Sequence, residues 1–223
     1  MIRAVVFDLD GVLLDSERLW DQARREVAAS HHGRWRDEAT AAMQGMSSAE
    51  WSRYMRDALA VDLTPERISD LVVTNLLERY RRGLPLIWGA VEAVRRLAAR
   101  WPLALASSAN RVVIDTVLAV AGLSEQFRAS VSAEEVPRGK PKPDVYLEAA
   151  RRLGQPPAAC AAVEDSAAGI RSAIAAGMQV VAVPNRDYPP PGDILASAQL
   201  VIDSLPELTV DLLGQLDEGE PAI

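Results

Sequence analysis

The sequence predicts an α/β protein: a doubly wound parallel sheet with a lobe of helices inserted after the first strand. Three observations carry this. From residue 86 onward, short apolar runs alternate with segments of helical spacing, the pattern of a parallel sheet covered on both faces. The first apolar run, Ile2 to Phe7, stops abruptly at Asp8 and Asp10. Residues 16–85 offer helical spacing and no convincing strand.

Ile2 to Phe7 is short and wholly apolar, as expected of a strand buried on both faces. In the next segment Leu19, Ala23 and Val27 recur every four residues, and Gly33 is expected to close that helix. Further helices are expected at 49–60 and 65–81, the second opened by Thr64 and Pro65. Beyond residue 86 the expected order is helix 89–100, strand 103–106, helix 111–121, strand 129–132, helix 144–153 and strand 159–163. Helix 167–176, strands 180–183 and 200–202, and a C-terminal helix complete it, with Pro189 to Pro191 a stiff turn. The expected division is a core of 1–15 plus 86–223 and a helical lobe of 16–85.

Composition narrows the class. At 223 residues, 49% hydrophobic and 25% charged, the chain can bury a core without disulfides. The lone cysteine, Cys160, excludes an intramolecular bridge and reads as a small buried strand residue. A cytoplasmic monomer is expected, with no membrane partner, because no apolar run approaches a span and the N-terminal run is broken by aspartates. A net charge of −7 does not suggest nucleic acid. The lobe is neutral, with 11 basic and 11 acidic residues, and no basic residue follows Arg186. The eight acids beyond it read as a solvated surface ending in a frayed tail.

Ligands of open parallel sheets bind beyond the carboxyl ends of the strands. Asp8, Asp10 and Gly11 follow the first expected strand, and Ser107, Ser108 and Asn110 the second. Gly139-Lys140-Pro141-Lys142-Pro143-Asp144 follows the third, and Glu164, Asp165 and Ser166 the fourth. Clustered carboxylates repel one another unless a cation holds them. Magnesium takes a few carboxylates and keeps positions for water and phosphate oxygens, and Asp8, Asp10 and Asp165, with Glu164 as auxiliary, meet that need. With Lys140 and a hydroxyl they form a set for phosphoryl transfer. The chain has 22 arginines and only two lysines, Lys140 and Lys142, both in one loop. An ammonium is not interchangeable with a guanidinium, so a lysine kept at Lys140 indicates a steric demand; Lys142 reads as a solvated loop charge.

Phe7-Asp8-Leu9-Asp10-Gly11-Val12-Leu13-Leu14-Asp15-Ser16 resembles the first motif of the haloacid dehalogenase superfamily, in its phosphatase branch. Ser107, Lys140 in Gly-Lys-Pro-Lys-Pro-Asp, and Val163-Glu164-Asp165-Ser166-Ala167-Ala168-Gly169 resemble the second, third and fourth motifs, in order. The lobe also falls where the subclass with an α-helical cap places it. The resemblance implies that Asp8 attacks phosphorus and that Asp10 protonates the leaving alcohol, then deprotonates water. It implies magnesium on the side chains of Asp8 and Asp165 and the backbone carbonyl of Asp10, with Glu164 acting through water. Ser107 and Lys140 would hold phosphate oxygens, aided by N–H groups near Leu9, Asp10 and Ser108.

Within the family, Asp10 favours phosphoryl transfer over carbon–halogen cleavage. β-Phosphoglucomutases carry a histidine where this chain has Trp20 and an arginine where it has Ser48. Asp15-Ser16-Glu17-Arg18-Leu19-Trp20 is similar instead to sugar-phosphate and deoxysugar-phosphate phosphatases of the 2-deoxyglucose-6-phosphatase type. The expected partner is therefore a small phosphorylated metabolite, with Trp20, Gln44, Gly45 and Met46 facing it from the lobe and Ser108 from the core. Trp20 reads equally as packing, and Trp35, Trp51 and Trp88 read as packing. Ser108 and Asn110 are expected to cap the helix after the second strand. His31 and His32 read as helix-end surface residues, and Asp15 as a candidate hinge. Two readings of other classes are a signalling receiver domain, which takes phosphate on a later strand and lacks the insertion, and a non-catalytic binding protein, which usually lacks one of the acids.

Overall fold

The computed structural model describes residues 1–43, 45–185 and 189–216. β1 (Ala4–Phe7) is followed by α1 (Glu17–Ser30), α2 (Ala39–Met43), α3 (Ser48–Asp57) and α4 (Pro65–Arg82). Then come α5 (Ala90–Ala98), β2 (Leu103–Ser107), α6 (Arg111–Val120), β3 (Phe127–Ser132), α7 (Asp144–Leu153) and β4 (Cys160–Glu164). α8 (Ala167–Ala175), β5 (Gln179–Ala182), α9 (Gly192–Leu195), β6 (Leu200–Val201) and α10 (Val210–Gln215) follow. Among the described residues between 16 and 85 there is no strand.

The six strands are all parallel, in the order β3-β2-β1-β4-β5-β6. The winding reverses at β1, between β2 and β4, so the crevice for a ligand opens at the carboxyl end of β1. Phe7 lies level with Leu105 and with Val163, which brings Asp8 beside Glu164. Strand side chains alternate between faces. Val5, Phe7, Leu103, Leu105 and Val163 join one apolar cluster with α5 and α6, and it continues into the lobe through Trp20, Met43, Trp51 and Leu76. Ala4, Val6, Ala104 and Ala162 join a second cluster with α7 and α8. The small residues of that second face let Tyr146 of α7 lie fully buried close to the sheet.

The lobe helices use ordinary chemistry. Thr64 caps α4 by accepting from the Arg67 N–H, with Pro65 in its first turn. Ser47 and Glu50 form a capping box on α3. Two close-set segments tie the lobe to the sheet: the Asp15 N–H donates to Pro85 O at 2.8 Å, and Ile87 N–H to Leu13 O at 3.0 Å. The Asp15 side chain is exposed, so this joint is made by backbone rather than by its carboxylate.

Several expectations are corrected. α1 ends at Ser30, and His32 rather than Gly33 takes the left-handed conformation, at φ +59°. Gly33 instead permits a close approach: a Cβ there would lie 2.8 Å from Val61 Cγ2. α2 was not expected; it is one short turn with only Ala39 and Met43 buried, too little for a period to register. Trp88 is 78% exposed and packs in no core, whereas Trp51 is buried and Trp35 packs at the cluster's edge. Asn110 occupies the N-cap position of α6 without a side-chain cap bond. Cys160 is buried at the start of β4, as expected. Gln44, Arg186, Asp187 and the tail with Asp217, Glu218 and Glu220 lie outside the described residues.

Candidate active site

At the crevice beyond β1, Asp8 follows Phe7 directly and is buried. Lys140 reaches it from the loop after β3. Its Nζ donates to Asp8 Oδ1 at 2.5 Å and to Glu164 Oε1 at 2.5 Å, with the lysine side chain only 5% exposed. Glu164 also accepts from the Tyr146 hydroxyl at 2.7 Å, and through Oε2 from the Asp165 N–H, the Ser166 N–H and the Ser166 hydroxyl. It is thus a fully bonded anchor that aims Lys140 at Asp8. Ser166 also caps α8 by accepting from the Gly169 N–H at 3.1 Å, so one tripeptide starts a helix and furnishes the site.

Oxygens of Asp8, Glu164 and Asp165 lie within 4.8 Å of one another. Three buried carboxylates share the place with one ammonium, which leaves an excess of negative charge. Burial pushes the Asp8 carboxyl up to about 7, helped by the neighbouring charges of Glu164 and Asp10 and opposed by Lys140. Burial likewise raises Asp165, with Glu164 and Asp8 adding to it. Burial alone would lower Lys140, but Asp8 and Glu164 outweigh it and hold the ammonium charged. A hard divalent cation would relieve both carboxyls, and an all-oxygen donor set suits one. Two glycines make room for the acids. A Cβ at Gly11 would fall 1.8 Å from Asp165 Oδ2, and one at Gly169 1.8 Å from Glu164 Oε1; Gly11 also has φ +84°.

Asp10 faces the other way. Its Oδ1 accepts from the Ser16 hydroxyl at 2.5 Å and from Trp20 Nε1 at 3.0 Å. Its side chain is therefore outside the three-carboxylate cluster, which leaves its backbone carbonyl as the group to offer a metal. Asp8, Asp10, Lys140, Asp165, Trp20, Gly45, Met46 and Ser108 line one cavity. Ser107 does not line it; buried below, its Oγ accepts from the Ala109 N–H at 3.0 Å. Lys142 is exposed, as expected.

Sequence reasoning missed Ser16, Glu17, Arg24, Trp51 and Asn185, which also line the cavity. Ser16, Glu17, Trp20 and Arg24 lie one helical turn apart or less, so the face carrying Trp20 was the available signal. It also missed the Ser48 hydroxyl donating to Asn110 Oδ1 at 2.5 Å, with Asn110 Nδ2 donating to Glu134 at 2.6 Å. Ser48 thus clasps the lobe to the core.

A parallel α/β sheet that gathers buried acids and a lysine at its switch point defines a class of oxygen-ligated phosphoryl-transfer sites. The haloacid dehalogenase-like hydrolase model matches residues 2–177, and the chain belongs to that family. It is 33% identical over 226 residues to hexitol phosphatase B of Escherichia coli K12, covering 96% of this chain and 97% of that protein. It is 32% identical over 183 residues to the fructose-1-phosphate phosphatase YqaB of the same strain, covering 80% and 95%. Among solved structures it is similar to CbbY from Rhodobacter sphaeroides in complex with phosphate, with a TM-score of 0.82, 26% identity, and coverage of 93% and 96%.

Proposed function

We propose that the protein is a magnesium-dependent phosphatase of a small phosphorylated metabolite, a sugar or deoxysugar phosphate. The observation that carries this is the paired arrangement of Asp8 and Asp10: one carboxylate held by Lys140 among acids, the other held by Ser16 and Trp20 toward the lobe. The similarity to hexitol and fructose-1-phosphate phosphatases supports the substrate class.

Asp8 attacks phosphorus, and the ester P–O bond breaks as the leaving oxygen takes a proton from Asp10. Asp10 then takes a proton from water, whose oxygen attacks the aspartyl phosphate and frees Asp8 with inorganic phosphate. A carboxylate nucleophile thereby divides one very slow hydrolysis into two easier steps. Asp8, Asp165 and the Asp10 carbonyl would hold magnesium, which when bound neutralises charge between phosphate and nucleophile. Glu164, saturated by five donors, fixes Lys140 on the phosphate side. Ser108 faces the space for the phosphate, and Ser107, buried below it, holds the loop that carries Ser108 by accepting from the Ala109 N–H.

Residues 16–85 serve as a cap and 1–15 plus 86–223 as the core. The cavity holds about 80 Å³, well below the ~300 Å³ of small-molecule pockets, so substrate is admitted by separation of the lobe from the sheet edge. Closure then excludes bulk water. The test is phosphate release from a panel of hexose, deoxyhexose and hexitol phosphates, phosphoglycolate, β-glucose 1-phosphate and p-nitrophenyl phosphate. Magnesium-dependent release, lost in Asp8→Asn, is expected; no release from any ester by folded, magnesium-binding protein sinks the reading.

A further inference from the structure

We propose that Arg24 and Glu17 form the subsite that reads the alcohol portion of the ester, and that it takes neutral, adjacent hydroxyl groups rather than a second anion. This rests on the phosphatase reading only in naming the bound group as the ester's alcohol.

Arg24 lines the same cavity as Asp8, Asp10 and Lys140, yet takes no part in the chemistry described above. Its side chain is 5% exposed. The guanidinium carbon sits 5.3 Å from the ring centres of both Trp20 and Trp51. Both contacts are within cation–π range and hold this cation in place, while its N–H groups remain hydrogen-bond donors. Nε and Nη1 are fully buried with no hydrogen-bond partner, and so is Oε1 of Glu17. Nη1 and that oxygen form an ion pair at 3.6 Å, longer than a hydrogen bond.

Buried polar groups are seldom left unpaired, because each forfeits its hydration. Here two donors and one acceptor of an ion pair lack hydrogen bonds, in two residues that line a substrate cavity. A hydroxyl is the complement of that set, since it accepts from Nη1 and donates to Oε1. A second hydroxyl on the neighbouring carbon takes Nε. A distal carboxylate or phosphate would match Arg24 alone. It would also meet Glu17, Asp10 and Asp21, the acids whose charges act on Arg24, and be repelled by them. The subsite therefore distinguishes a polyol from a dicarboxylate-like or bisphosphate ester, and places that selection on the first lobe helix.

The experiment is calorimetric titration of magnesium-loaded, full-length Asp8→Asn protein with a hexitol 6-phosphate, with 2-phosphoglycolate and with inorganic phosphate. Affinity for the hexitol phosphate should exceed that for phosphate at least tenfold, and Arg24→Gln should erase most of this ratio. Glu17→Gln keeps the side chain's shape and removes its charge, so preference should move toward 2-phosphoglycolate by about tenfold or more. An Arg24→Gln protein that folds and weakens all three ligands equally overturns the subsite. So does a wild-type lobe for which the alcohol portion adds no affinity, or a Glu17→Gln preference that does not move. Absence of turnover in wild type, with these binding ratios intact, would sink the phosphatase reading alone.

Discussion

Replacing Lys140 by Met keeps an unbranched stem of similar length and removes the ammonium that Asp8 and Glu164 share. Breaking a buried ion pair on one side costs about 3–5 kcal/mol. The structure limits that cost, because one stranded carboxylate can take a proton instead. For a glutamate with an ordinary value of about 4.3, neutralisation at pH 7 costs about 3.7 kcal/mol at about 1.4 kcal/mol per unit, and at pH 5 about 1 kcal/mol. The stranded acid has a folded value above its unfolded one, so the variant keeps its stability at low pH and loses it as pH rises. Urea unfolding of metal-free wild type and Lys140→Met should therefore give a difference of about 3–4 kcal/mol at pH 7, shrinking to about 1 at pH 5. A difference below 1 kcal/mol at pH 7, or one that does not change with pH, would refute the argument that Lys140 compensates buried carboxylates. Phosphatase activity of the variant should be lost at either pH.

Three further outcomes follow from the same geometry. The Asp8 carboxyl is raised by burial to about 7, so between about pH 4 and 7 the folded protein holds a proton that the unfolded chain has released. Metal-free stability should fall across that window. Magnesium binding expels the proton, so the melting-temperature gain from millimolar magnesium should be larger at pH 8 than at pH 5.5; an equal gain would contradict it. Gly11→Ala places a Cβ 1.8 Å from Asp165 Oδ2 on a backbone at φ +84°. It should cost about 1–2 kcal/mol in backbone strain and displace Asp165, with magnesium affinity down by tenfold or more in a calorimetric titration. Ser48→Ala removes the lobe-to-core bond to Asn110. At about 1 kcal/mol it should raise KM roughly fivefold, read in steady-state kinetics on the best ester of the panel.

The sheet was legible because its strands are wholly apolar. A run such as Leu103 to Ala106 has no amphipathic alternative, so its position in the sequence nearly determines its position in the core. The acids were legible because a carboxylate at the end of such a run has few structural reasons to be there. By itself, then, the sequence determined the fold class, the helical insertion, the family, and the meeting of Asp8, Lys140, Glu164 and Asp165 at one edge. The tertiary structure alone decided how those groups divide their work. Glu164 became an anchor because Tyr146, 18 residues before it, reaches its Oε1 from another element. Asp10 turned to the lobe because Ser16 and Trp20 wait there. Asn110 looked like a helix cap, but its amide joins Ser48 from 62 residues away. Nothing in the local sequence marks Arg24, and only the folded chain buries it against two indoles. Hydrophobic burial follows local pattern and is readable along the chain, whereas the partner of a polar atom is set by a direction and a distance of a few ångströms that arise only when separate elements pack.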